Sequence, residues 1–262
     1  MKVRRHSRNY NFIGDTTSGM TFRWGKTFKD DPSKAPWPEL ADISISNHCS
    51  KGCSYCYRDS SPNNSFISLE DYEYILKSLH SEEWGSIFQV ALGGGEPLEH
   101  PQFKEILEIT KNHGIVANFT TNGVHLNYNK LNEIKVLVGA IAISVTSINE
   151  IVNTDWYKHI KEFNNYFKIN LHIILSRDSI KNAIDILEGK YNDILDGINA
   201  IIFLTYKPAG RANSDNILSN DVSFKKFMSL IDKNSCCCSI GFDACFVPML
   251  LSENAIDTNY ID

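Results

Sequence analysis

Short apolar runs and amphipathic stretches alternate along most of the chain. Runs of β-branched and aromatic residues bounded by turn residues predict strands, and apolar positions that recur every three to four residues behind a capping residue predict helices. The predicted strands cover 41–47, 87–92, 115–120, 140–146, 168–176 and 200–206. The predicted helices cover 68–80, 101–112, 128–136, 155–166, 179–190 and 223–232.

This alternation predicts an α/β fold with a parallel sheet, because parallel strands need a crossover connection that is usually a helix. Eight strand–helix units would close a full (β/α)8 barrel. Six units predict a partial (β/α)6 TIM-like barrel that is open at one side. The reacting groups of parallel barrels lie at the carboxyl ends of the strands, so the unusual sequences that end several of these strands are the candidate functional residues.

The first forty residues predict a β-hairpin extension in front of the barrel. Two β-prone runs, Tyr10–Ile13 and Met20–Trp24, flank a polar, glycine-containing turn at 14–19, a pattern typical of a hairpin. We expect this hairpin to cover one end of the barrel. The predicted organisation is a hairpin and linker over 1–40, the barrel over 41–233 and a short cysteine-containing C-terminal tail over 234–262.

Composition limits the partners and the cellular location. The formal net charge is −5 and the sequence pI is near 5.9, which argues against nucleic acid because binding it normally requires a basic surface. No apolar run is long enough to span a membrane, and the basic start at 1–6 is not followed by the apolar stretch of a secretory signal. We therefore expect a cytoplasmic protein without a membrane partner.

The seven cysteines fall in two groups, one in the first quarter of the chain and one near its end, which favours metal binding or catalysis over a disulfide framework. Cys49, Cys53 and Cys56 have the spacing C-x3-C-x2-C. A [4Fe–4S] cluster normally takes four cysteines, so three predict a cluster with one iron open to a ligand that is not protein. The alternative is a zinc site, which usually has four protein ligands. His48 would be the fourth, but it adjoins Cys49.

This loop resembles the cluster loop of the radical S-adenosylmethionine (SAM) enzymes, which has an aromatic residue just before the last cysteine, as Tyr55 is here. The resemblance covers about 41–232. It implies that SAM chelates the open iron through its amino and carboxylate groups, and that Tyr55 lies near the SAM adenine. Because an open cluster iron is easily oxidised, we expect a cell or compartment with little oxygen.

Gly94, Gly95, Glu96 and Pro97 follow the second predicted strand and resemble the Gly-Gly-Glu-Pro motif of the same family. Glycines let a ligand approach the backbone, and the backbone C=O groups and the Glu96 carboxylate are acceptors suited to the SAM ammonium. A plain strand-to-helix turn is the alternative interpretation of a glycine-rich stretch alone. Its position one strand away from the cysteine loop favours SAM binding.

Two further positions match the family on the inward face of the barrel. Ser144 matches the family serine that contacts the SAM ribose or carboxylate, and Leu204 matches an apolar position beside the adenine. The family often has an arginine after the fourth strand to hold the SAM carboxylate. Here no arginine occurs between Arg58 and Arg177, so Lys158 or Arg177 would have to substitute for it.

The second cysteine group comprises Cys236–Cys238 and Cys245. It resembles the start of a SPASM domain, the extension with which radical SAM enzymes that modify peptides or proteins hold auxiliary Fe–S clusters. The later cysteines of that domain are missing, and three adjacent cysteines cannot all ligate one cluster comfortably. An auxiliary Fe–S cluster and a loop of reduced thiols therefore both remain open. No helix able to pack is expected after Leu251.

The resemblance predicts a radical SAM enzyme whose cofactors are a [4Fe–4S] cluster and SAM. A one-electron donor such as flavodoxin or ferredoxin would reduce the cluster, SAM would be cleaved to a 5′-deoxyadenosyl radical, and that radical would take hydrogen from the substrate. No side chain is predicted as the catalytic group. The SPASM-like tail favours a peptide or protein substrate, as in maturases, and a small molecule or nucleotide is the alternative. A non-enzymatic iron–sulfur sensor or electron carrier is the competing class, which has no need of an amine-binding backbone.

Overall fold

The computed structural model describes residues 2–30, 32, 34–218 and 221–252. Its strands are β1 (Lys2–Ser7), β2 (Tyr10–Asp15), β3 (Thr21–Trp24), β4 (Leu40–Ser46), β5 (His80–Ser81), β6 (Gly85–Ser86), β7 (Gln89–Gly94), β8 (Val116–Thr121), β9 (Val138–Ser144), β10 (Lys168–Leu175), β11 (Ala200–Thr205) and β12 (Ser239–Phe242). Its α-helices are α1 (Leu69–Ser78), α2 (Phe103–Asn112), α3 (Tyr128–Ile134), α4 (Asp155–Phe163), α5 (Ile180–Leu187), α6 (Asn192–Leu195), α7 (Val222–Leu230) and α8 (Val247–Ser252).

Seven strands form one sheet in the order β4-β7-β8-β9-β10-β11-β12, and every neighbouring pair is parallel. Helices α1 to α7 lie in the connections between them. The partial TIM-like barrel is confirmed, with seven strands where the sequence predicted six. The seventh strand, β12, belongs to the segment predicted as a tail. It is four residues long and contains Gly241, so neither its length nor its β-propensity revealed it.

The two faces of a strand have different surroundings, as β10 shows. Ile169, Leu171 and Ile173 are fully buried and belong to the same apolar cluster as the buried side chains of α5. Asn170 and His172 alternate with them and are half-buried on the opposite face. Because side chains alternate across a strand, the apolar face packs under the helices, and the more polar face lines the inside of the barrel.

The N-terminal strands form a separate antiparallel sheet in the order β1-β2-β3. The predicted hairpin is the β2–β3 pair, and β1 adds a third strand that the sequence did not reveal. Phe12 packs edge-on against Phe88 with ring centroids 5.3 Å apart, and Tyr10 Oη donates to Glu39 over 2.6 Å. Phe88 and Glu39 immediately precede β7 and β4. The small sheet therefore covers the end of the barrel where the parallel strands start.

Helix boundaries follow local signals. Ser68 caps α1, with its side chain accepting from the Asp71 amide over 3.0 Å, as its sequence predicted. The helix predicted to run to 190 ends at Leu187, because Gly189 adopts φ of 75°, the left-handed conformation that commonly ends helices. Among the described residues, no helix is long and apolar enough to cross a membrane. The prediction that no helix packs after Leu251 concerns mainly residues 253–262, which lie outside the described residues.

Candidate active site

The cysteine loop begins just beyond β4, at the carboxyl edge of the sheet. Cys49, Cys53 and Cys56 are partly buried and form no disulfide. Gly52 has φ of 65°, which glycine adopts without strain, and the Cys56 amide donates to the Cys53 carbonyl over 3.3 Å. Within the described ranges, no three His, Cys, Asp or Glu side chains converge as around a single metal ion. The loop turns tightly and keeps its three thiols on one short segment.

Cys49 has an environment that disfavours a free thiolate. Burial raises the pKa of its thiol, and the carboxylates of Glu99 and Glu96 raise it further, while the Lys51 amide and the Asn122 side chain lower it. Asn122 Nδ2 donates to the Cys49 sulfur over 3.8 Å. A thiol must be deprotonated to bind metal. Cationic iron would supply the positive charge that this acidic surrounding lacks, so the donor set fits a cluster.

Glu99 fastens the first part of the loop. Its carboxylate accepts from the Ser50 amide over 3.0 Å, and it lies 3.1 Å from His48 Nε2 and 3.2 Å from His125 Nε2. The carboxylate thus joins the loop on either side of Cys49 to the segment that follows β8. The sequence reasoning missed this residue, because nothing in its spacing three positions after Glu96 indicates that it reaches back to the loop.

The glycines at the end of β7 let this strand end approach the β4 end closely. A Cβ added to Gly94, whose φ is 115°, would lie 1.9 Å from the Ser46 carbonyl oxygen, and one added to Gly95 would lie 2.0 Å from that of His48. The Gly95 amide donates to Ser46 over 2.7 Å. Of the three glycines at 93–95, only Gly93 would have open space around an added Cβ. Gly94 and Gly95 are therefore needed for packing, and Gly93 is the glycine over which a ligand has room.

Glu96 joins the ends of two neighbouring strands. Its side chain is buried and accepts from Thr121 Oγ1 over 2.7 Å, from the Asn122 amide over 2.7 Å and from the Leu98 amide over 3.0 Å. Burial raises the pKa of this carboxyl group in spite of those bonds. Two carboxylate oxygens offer about four acceptor sites, so one remains for an ammonium group. The predicted contact with SAM is compatible with this arrangement and stays a prediction.

Ser144 and Leu204 lie on half-buried positions of the barrel's inner face. Ser144 is the register partner of His172 on β10, and Leu204 is the partner of Ile174. Burial lowers the pKa of His172 to about 4, so its imidazole is neutral at physiological pH. The inner-face side chains of Ser144, His172 and Leu204 thus carry no charge at that pH, which suits a nucleoside.

Tyr55 is half-buried beside the cysteines. Burial raises the pKa of its phenol, and Cys53 and Glu150 raise it further. Glu150 is fixed at the end of β9 by the Ser147 amide, which donates over 3.0 Å, and by Thr146. Tyr55 therefore stays protonated between the cysteine loop and the β9 end. Its predicted position near adenine is not tested by these contacts.

The structure brings a different arginine to the strand ends than the sequence suggested. Lys158 is exposed on α4, and Arg177 is exposed after β10. Arg58 instead donates from Nη2 to Ser44 Oγ over 2.8 Å, and its Nε is buried without a hydrogen-bond partner in the described chain. Ser44 is the register partner of Gly93. The Arg58 guanidinium is thus held at Ser44, whose strand partner is Gly93, and its positive charge suits an anionic ligand group.

The C-terminal cysteines lie at opposite ends of β12. Cys236–Cys238 precede this strand, with the Cys236 and Cys238 sulfurs 3.4 Å apart, and the exposed Cys245 follows it. A four-residue strand spans roughly 13 Å. A single auxiliary cluster ligated by both groups therefore does not fit, and only Cys245 lies at the same end of the barrel as the cysteine loop.

Comparison with known proteins shows the family of the chain. Residues 43–202, more than half of the chain, match the Radical SAM superfamily. A probable GTP 3′,8-cyclase from Methanocaldococcus jannaschii is 31% identical over 147 residues, which are 55% of this chain and 45% of that protein. An S-adenosylmethionine-dependent nucleotide dehydratase from Selenomonas ruminantium is 26% identical over 163 residues, which are 61% of this chain and 57% of that protein. The chain thus spans about half the length of these curated relatives.

The fold is shared with a solved structure. Streptococcus suis SuiB, crystallised with its precursor peptide SuiA, superposes with a TM-score of 0.67 at 13% identity, covering 98% of this chain and 76% of that chain. A partial parallel barrel with a three-cysteine loop beside a glycine-rich strand end defines a class of cluster-dependent enzymes. The chain belongs to the Radical SAM superfamily. It is an enzyme, and its cofactors are a [4Fe–4S] cluster and SAM, which rules out the non-enzymatic sensor or carrier.

Proposed function

We propose that this enzyme holds its [4Fe–4S] cluster on Cys49, Cys53 and Cys56 and uses SAM to abstract a hydrogen atom from a peptide or protein substrate. The observation that carries this proposal is the close packing of Gly94 and Gly95 against the chain that leads into the cysteine loop. This packing brings the glycine-rich turn against Ser46 and His48, immediately before the first cysteine. When bound, the cluster and SAM would together supply one-electron radical chemistry.

The remaining proposed contacts bind different parts of SAM at different strand ends. The backbone at Gly94 and Gly95, together with Glu96, accepts hydrogen bonds from the SAM ammonium. Arg58 takes over the carboxylate contact that Lys158 or Arg177 was expected to make, because its guanidinium group is held at Ser44 near the end of β4.

The nucleoside part of SAM lies further into the barrel. Ser144 donates a hydrogen bond to the ribose or the carboxylate. Leu204 and Tyr55 border the adenine. These side chains bind and orient SAM and exclude water, and none of them exchanges a proton with the substrate. The electron comes from an external one-electron donor such as flavodoxin or ferredoxin, and a cytoplasmic location is part of the same proposal.

A peptide or protein substrate is favoured by two features. The sheet ends at β4 and β12 without a further strand in the described chain, so the barrel is open at one side, which suits a large substrate. The protein with the same fold, SuiB, binds a precursor peptide. A nucleotide is the second candidate, since two of the curated relatives are named for GTP and nucleotide reactions.

The rate of 5′-deoxyadenosine formation distinguishes the two candidates. Reduced, cluster-loaded enzyme is incubated with SAM and either short peptides encoded beside its gene or the common nucleoside triphosphates. A peptide that speeds 5′-deoxyadenosine formation and is itself changed in mass supports the proposal. If a nucleoside triphosphate has both effects and none of the peptides does, the substrate is a nucleotide and not a peptide.

A further inference from the structure

The segment after β11 lies against the cysteine loop, although about 150 residues of sequence separate the two. The Arg211 amide donates to the Cys56 carbonyl over 3.0 Å, and Arg211 Nε donates to the Cys53 carbonyl over 3.0 Å. Arg211 Nη1 donates to the Ser60 carbonyl over 2.8 Å and to Asp59 Oδ1 over 2.9 Å. One residue therefore contacts the loop at four places between its second cysteine and its end.

Gly210 makes this approach possible. Its φ is 62°, and a Cβ at this position would lie 2.5 Å from the Cys56 carbonyl oxygen and 2.6 Å from that of Tyr57. Asp59, the acceptor of the Arg211 ion pair, has φ of 52°, a left-handed conformation that is uncommon for a residue other than glycine. Where the segment after β11 meets the cysteine loop, the chain thus has a glycine without a side chain, an arginine and an unusual backbone turn.

The contacts go to the backbone of two of the three cysteines that hold the cluster in the proposed function. A guanidinium group has a rigid fork of donors that can bind several acceptors at once, which an ammonium group on a flexible chain does not reproduce. Groups that orient metal ligands in this way strongly affect metal affinity. Holding the carbonyl groups of Cys53 and Cys56 fixes the backbone from which both thiols project.

We propose that Arg211 is a positioning residue that holds Cys53 and Cys56 in the conformation that binds the cluster. This inference rests on the proposed function for the role of the cysteines, but the contacts of Arg211 involve protein groups alone.

Amide hydrogen exchange in the metal-free protein tests the contact directly. Arg211→Ala removes the guanidinium bonds to the Cys53 carbonyl, the Ser60 carbonyl and the Asp59 carboxylate. The Cys56 and Asp59 amides, which donate to the Cys53 and Cys56 carbonyls, should then exchange about tenfold faster. Arg211→Lys should restore this protection only in part. Arg177→Ala, which removes an exposed arginine at the same end of the barrel, should exchange like wild type. Unchanged β10 amides in each variant show that the fold is intact.

Iron retention provides the second readout. After anaerobic reconstitution, Arg211→Ala should lose iron to a chelator faster than wild type and Arg177→Ala. Wild-type exchange at the Cys56 and Asp59 amides in both Arg211→Ala and Arg211→Lys would overturn the inference and leave the proposed function standing. Faster exchange with wild-type iron retention would also overturn it. A wild-type protein that binds no cluster would instead overturn the proposed function, whatever the exchange rates.

Discussion

His172 lies on the inner face of β10 beside Ser144, where burial lowers its pKa from 6.5 to about 4. The folded protein therefore binds a proton at this site less readily than the unfolded chain does. The contribution to stability is fully present above pH 6.5 and is lost as the pH falls toward 4, below which both states are protonated. We predict that wild type loses more stability than His172→Gln between pH 7 and pH 5.

Urea unfolding at the two pH values measures this difference. Exposed His80→Gln is the matched control and should lose as much stability as wild type. An equal loss in wild type and His172→Gln would show that His172 does not titrate as a buried group.

At the scale of elements, the junction between β4 and β7 determines how the site is built. Gly94→Ala should lower Tm by roughly 4 °C, because its Cβ would collide with the Ser46 carbonyl and its φ is left-handed. Gly93→Ala should leave Tm unchanged, since its methyl group enters only open space. It should weaken SAM binding, because the methyl group would occupy the room left for the ligand. Thermal unfolding and a SAM titration of the two variants check this, and a Gly94→Ala protein as stable as wild type would contradict the packing role.

The elements also show how far the sequence predicts this structure. Hydrophobic periodicity revealed the six longer strands of the barrel, because each carries a run of apolar residues that the helices cover. It did not reveal β12, whose four residues have no such run, or β1, whose sequence is mostly basic. The cysteine spacing and the Gly-Gly-Glu-Pro stretch indicated which strand ends form the site. The reach of Glu99, Arg58 and Arg211 depends on the folded chain, which local sequence does not encode.

At the scale of the whole molecule, the two ends of the barrel carry different features. The N-terminal sheet covers the end where the strands start, and the cysteine loop, the glycine-rich turn and Arg211 lie at the other. Cys236–Cys238 precede β12, so they lie at the end remote from the cysteine loop. The predicted boundaries at 40 and 233 remain predictions, although β12 joins the barrel from beyond the second boundary.

The most direct test of the account is whether the reduced protein cleaves SAM. Cluster-loaded protein is reduced with dithionite under strict anaerobiosis, and 5′-deoxyadenosine is measured by chromatography with Cys53→Ala and Cys237→Ala beside it. We predict that wild type and Cys237→Ala form 5′-deoxyadenosine slowly and that Cys53→Ala forms none. Absence of 5′-deoxyadenosine from cluster-replete wild type, or its formation by Cys53→Ala, would contradict the assignment of the site.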